Sequence, residues 1–171
     1  MDARMLIEKL NLRPHPAEGG WFVETYRSSE RAGGRHISTA IYYLLTPETC
    51  SSLHRLRSDE IFHFYLGDTV EMLQLRPDGG GSLVRLGPRI EAGEEVQVVV
   101  RAGVWQGARL RAGGRFALLG TTVAPGFEYA DYETGRAAEL IRAYPDWRPW
   151  IEALSPRPGG HAAAQEPGDR T

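Results

Sequence analysis

Two histidines and a glutamate, His54, Glu60 and His63, fall within SLHRLRSDEIFHFYLG (residues 52–67), a strand-like stretch rich in apolar side chains. A titratable group embedded among apolar ones is costly unless it is paired or used, so this stretch is where chemistry is expected first. Imidazole and carboxylate suit two kinds. They can hold Zn, Fe, Ni or Mn. Without a metal, a histidine beside a carboxylate can take a proton from a carbon next to a carbonyl while a tyrosine returns one. In that second reading His54 is the base, Glu60 orients it, and Tyr26, Tyr42 or Tyr43 is the acid. Glu60 and His63 lie three positions apart, so on a regular strand they face opposite sides unless a bulge intervenes.

The surrounding elements must position these groups. Met5, Leu6, Leu10 and Leu12 stand at the spacing of a short one-faced helix over residues 3–12, which Pro14 and Pro16 should end. From Gly19 the pattern turns to short apolar or alternating runs separated by Gly-rich turns, as in an all-β sandwich or barrel. The runs are WFVETYR, STAIYYLLT, EIFHFYLG, VEMLQLR, SLVRLG, VQVVVR, VWQGARL and FALLGTTV. Alternation puts Phe22, Glu24 and Tyr26 on one face, and separates Val96, Val98 and Val100 from Gln97, Val99 and Arg101. A few polar groups among aromatics inside a barrel make a small-molecule pocket, so Glu24, His63, Gln97 and Trp105 are candidate ligand contacts. GFEYADYETG (residues 126–135) reads as a loop or short strand leaving the barrel. GRAAELIRAYP and DWRPWIEAL read as helices, the second capped by Asp146. Residues 155–171, rich in Pro, Gly and Ala, are expected to be a disordered tail after a single domain over 1–154.

The 171 residues suffice for one domain with a core. With 22 acidic against 20 basic residues and a net charge of -2, a nucleic-acid or anionic-membrane surface is not expected. The partner should be a small molecule or a second copy. Cys50 is the only cysteine, which excludes an internal disulfide and suits the cytoplasm, and no apolar stretch approaches bilayer length. The chain has no P-loop, dinucleotide fingerprint, nucleophile elbow or paired CxxC.

SLHRLRSDEIFHFYLGD, then GEEVQVVVRAGVWQGA, then TTVAPGFEYADYE, together with the early HPAEGGWFVETYRS and TAIYYLLT segments, resembles the DUF985 (Cupin_5) branch of the cupin superfamily. The resemblance implies a double-stranded β-helix, the cupin jelly-roll barrel, usually a homodimer, with its ligand inside; the helices read from the apolar spacing add a short N-terminal helix and C-terminal helices to it. It matches His54 to the first metal-binding histidine of cupins, Glu60 to the glutamate and Gly67 to the closing glycine. Leu56 and Gln106 stand where two further histidines would be. A metal site would therefore rest on His54, Glu60 and Gln106, and neutral Gln is a poor ligand for transition metals. The expectation is a small-molecule-binding cupin without a cofactor, acting as an isomerase or epimerase beside a carbonyl on a polar or sugar-like metabolite. Its catalytic set is His54, Glu60, Tyr26 and Tyr43, with Gln106 joining the ligand contacts. The alternatives are a divalent-metal oxygenase or isomerase and a noncatalytic binding protein.

Overall fold

The computed structural model describes residues 1–155. All but Ser155 of the segment expected as a tail lies outside the described residues. Helix α1 (Ala3–Lys9) is capped by the Asp2 carboxylate, which accepts from the Met5 amide. The prolines do not end it. Asn11 takes a left-handed φ of 53°, which tolerates Asn, and the Leu12 amide turns back to the Ile7 carbonyl at 2.9 Å.

The strands follow as β1 (Arg13–Pro14), β2 (Trp21–Arg27), β3 (Arg31–Ala32), β4 (Arg35–His36), β5 (Thr39–Leu45), β6 (Cys50–Arg55), β7 (Asp59–Gly67), β8 (Val70–Leu75), β9 (Gly81–Leu86), β10 (Gln97–Val100), β11 (Trp105–Leu110), β12 (Ala117–Ala124) and β13 (Glu133–Thr134). One sheet has the order β1-β2-β5-β12-β7-β10 and the other β13-β6-β11-β8-β9, with β3-β4 a separate hairpin. Consecutive strands repeatedly switch sheets, as in a jelly roll. Residues 52–67 are thus not one strand. Leu56, Arg57 and Ser58 turn the chain from the second sheet into the first, so His54 and Glu60 approach from facing walls. Gly67 closes β7 with φ 108°, and a Cβ there would stand 2.3 Å from the Phe116 carbonyl oxygen.

Between the sheets Phe22, Leu45, Phe62, Met72, Leu86, Val98, Val100 and Leu119 form a packed apolar core. Helix α1 covers part of the outer face of the first sheet through Leu6, Leu44, Phe116 and Leu118. Helices α2 (Ala137–Ala143) and α3 (Arg148–Ala153) cover the second through Leu53, Leu73, Leu75, Leu140 and Ile151. Asp146 does not cap α3. It lies within a 3-10 turn over Pro145–Trp147, and Trp147 stands at the cap position without a side-chain hydrogen bond. Among the described residues no helix is long and apolar enough to cross a membrane.

Candidate active site

The apolar filling stops short of one end of the barrel, where a cavity of about 40 Å³ remains, lined among others by His15, Glu18, His54, Leu56, Glu60, Thr121 and Tyr132. This is room for two or three waters or the reacting end of a small molecule. A wider groove of about 590 Å³ past the 19–20 and 109–114 turns contains none of His54, Glu18 and Glu60.

His54 reaches the cavity through a bulge. Gln106 pairs with His54 but Ala108 pairs with Ser51, so two steps on β11 match three on β6. Residues three apart would otherwise face opposite ways; here both Ser51 and His54 turn inward. The His54 Nδ1–H donates to the Ser52 carbonyl at 2.7 Å, which leaves Nε2 as the nitrogen facing the cavity, 3.9 Å from a Glu18 carboxylate oxygen. Glu18 also receives the Ser51 hydroxyl and lies 4.0 Å from His15 Nε2. The His15 Nδ1 accepts from the Glu18 amide at 2.9 Å, fixing the turn that carries the carboxylate inward. From the opposite wall, Glu60 accepts the Gln106 amide N–H at 2.6 Å. Tyr132 stacks on the His54 ring with centroids 4.9 Å apart. Two buried polar atoms in this neighbourhood, the Tyr132 hydroxyl and Gln106 Oε1, have no partner among the described residues.

The two carboxylates are pushed apart. Burial raises Glu18, but His54, His15 and the Ser51 hydroxyl outweigh it and hold its pKa below the usual value. Burial and then the Glu18 charge push Glu60 up to about 7, against the opposing pull of His54, Thr121 and Gln106. Glu18 is therefore the resident anion, and Glu60 exchanges its proton near neutral pH. Burial lowers His15 and raises Tyr132, the latter reinforced by Glu18 and Glu60, so Tyr132 keeps its proton.

The remaining candidates scatter. Tyr43 is buried beside the cluster, but its hydroxyl donates to the Gly19 carbonyl at 2.8 Å. Tyr26 does not share a face with Glu24. A bulge between them pairs Glu24 with Ile41 and Tyr26 with Ala40, which turns Tyr26 to the outer face, where it is 54% exposed. Glu24 stands at the cavity mouth, bound to Arg27 at 2.6 Å. His63 and Gln97 face outward, bonded to each other at 3.2 Å, since β7 keeps strict alternation from Glu60 to His63. Trp105 lies on the helix-covered face of the second sheet, under the Arg55 guanidinium.

Sequence reasoning missed His15, Glu18 and Tyr132. The 126–135 segment does not leave the barrel. Thr134 pairs with His54, and Phe127, Tyr129 and Tyr132 form the cavity mouth. The available signal was their place inside the motif segments HPAEGG and GFEYADYE, which as loops show no periodicity.

Leu56 offers no lone pair, Gln106 turns an N–H toward Glu60, and among the described residues no three His, Cys, Asp or Glu side chains are placed to hold an ion.

Two antiparallel sheets closed around a polar end cavity, with its groups drawn from facing strands, define a cupin barrel. The chain belongs to the Cupin superfamily (DUF985), the Cupin_5 family, which it matches over residues 4–135. It is 31% identical over 147 residues to the uncharacterized protein YML079W of Saccharomyces cerevisiae, covering 75% of this chain and 73% of the yeast protein. A crystal structure of a Shewanella oneidensis protein is similar with TM-score 0.85 and 33% identity, over 92% of this chain and 99% of that one. A cupin 2 domain-containing protein from Halorhodospira halophila shares the fold with TM-score 0.56 at 14% identity, over 82% and 86% of the two chains.

Proposed function

We propose that this cupin binds a small polar metabolite and moves a proton at the carbon beside its carbonyl, as an isomerase or epimerase that uses no metal. The observation that supports it is a buried imidazole with one nitrogen committed to Ser52 and the other facing the cavity, opposite a carboxyl that titrates near 7. His54 Nε2 takes the proton from carbon, and the C–H electron pair moves into the carbonyl to give an enolate. Glu18 stabilises the imidazolium that results. Neutral Glu60 gives its proton to the enolate oxygen or back to carbon, and Tyr132, which keeps its proton, donates a hydrogen bond to the substrate oxygen. Glu60 thus serves as the acid rather than as the orienting group, a task that falls to Ser52.

The test is solvent exchange. Incubated in D2O with a panel of small aldoses, ketoses and keto acids, the protein should place deuterium beside the carbonyl of at least one, read by proton NMR. Saturable binding without exchange in any of them would leave a noncatalytic binding protein. Metal content well below one ion per chain, with exchange unaffected by added Zn, Fe, Ni or Mn, is expected of the same preparation.

The homodimer and a cytoplasmic location are also proposals, the second supported by the single cysteine. Ile61, His63 and Tyr65 of β7, Gln97 and Val99 of β10, Thr122 of β12 and Tyr26 form an outer sheet face without an acid, lysine or arginine among them. Such a face, bounded at one end by the Asp59–Arg101 ion pair of the same strand rows, fits a second copy of itself across a two-fold axis. Tyr65, half exposed and edge-on to Tyr42 at 6.0 Å, sits in it. Tyr65→Arg would set like charges on both copies, and sedimentation equilibrium should show the assembly shift to monomer.

A further inference from the structure

We infer that the ligand is a carbonyl compound with a terminal oxyanion, a phosphate or carboxylate, which stays outside the cavity and is held by Arg13. The inference rests on the acid–base reading only in placing the reacting carbon inside. The cavity is too small, at about 40 Å³, for more than the reacting end of a metabolite. It also holds an ionised Glu18, so an anion has no favourable place within it. The rest of the ligand must lie at the mouth.

There the arginines are already committed, with one exception. Arg27 is bound to Glu24 through two nitrogens, at 3.0 and 2.6 Å, and Arg35 is bound to Asp131 and to the Gly126 carbonyl. The Arg13 side chain forms no salt bridge or hydrogen bond with the described residues. It is exposed on the short edge strand β1, with its guanidinium 5.1 Å from the centroid of Phe22, and within electrostatic reach of Tyr129 and His15. Phe22 and His15 line the cavity, their rings 4.6 Å apart, so the guanidinium is set one ring away from the interior. Stacking on Phe22 holds the fork in place, which suits bidentate capture of a planar or tetrahedral oxyanion. Phe127 and Tyr129, perpendicular at 5.1 Å, give the stem of the ligand an apolar wall.

Two matched pairs of probes test this by NMR titration: dihydroxyacetone phosphate against dihydroxyacetone, and levulinate against its methyl ester. At least one anion should bind about tenfold or more tightly than its neutral counterpart, the scale of one charge-assisted hydrogen bond. The advantage should collapse in Arg13→Gln while neutral binding stays unchanged, and the pair with the larger gap distinguishes phosphate from carboxylate. Equal binding within both pairs, an advantage that survives Arg13→Gln, or no binding by any of the four overturns the inference. Anion preference without deuterium exchange overturns the catalytic reading alone, and exchange without preference overturns this one alone.

Discussion

His54→Asn should lower the rate of deuterium exchange by about a hundredfold or more, the contribution expected of a positioned general base. Asn is the informative replacement. Its amide N–H stands close to where the imidazole Nδ1–H donates to the Ser52 carbonyl, so that buried acceptor keeps its partner, while the nitrogen facing Glu18 is lost. The variant should fold, with urea denaturation showing a loss of about 1–2 kcal/mol from the atoms removed beneath Tyr132. Exchange at the wild-type rate in a folded variant would remove His54 from the chemistry.

Glu60→Gln has a different signature, because it changes stability in a pH-dependent way. A carboxyl whose pKa is raised on folding contributes its full stability below the unfolded value and loses it as pH rises through the folded value. For Glu60 those values are 4.5 and about 7, so up to about 3 kcal/mol is lost across that window. Gln cannot ionise. Against wild type, Glu60→Gln should therefore differ little near pH 4 and gain up to about 3 kcal/mol at pH 8.5, while deuterium exchange falls to background. Wild-type exchange itself should decline as pH rises past about 7, since the acid form of Glu60 is consumed. Parallel stability curves for the two proteins from pH 4 to 8.5 would show that no neutral carboxyl is stored at this position. Glu18, held below its usual range, contributes the opposite slope, with stability lost as pH falls through its folded value.

These residues show what the chain discloses unaided. Alternation and Gly-rich turns locate the strands well, because a half-buried strand must repeat every two residues and a turn must tolerate unusual backbone angles. The same rule correctly separates Glu60 from His63. It fails at Tyr26 and would fail at Ser51 and His54, because a bulge adds one residue without leaving a mark in the apolar pattern. The convergence of His54 and Glu60 follows from residues 56–58 carrying the chain between sheets, which a continuous-looking run conceals. Glu18 and Tyr132 are more than a hundred positions apart, the first in a turn and the second just ahead of β13. Only the closed barrel brings them to one cavity, so neither periodicity nor local spacing could nominate them.

The mouth has a consequence for how such proteins diversify. Phe127, Tyr129 and Tyr132 belong to a single short segment, while His54 and Glu60 are rooted in the sheets beneath. Exchange of Phe127 and Tyr129 between relatives would be a modular change: it would re-tailor the outer half of the ligand while His54, Glu60 and the Tyr132 ring stacked on His54 keep their places.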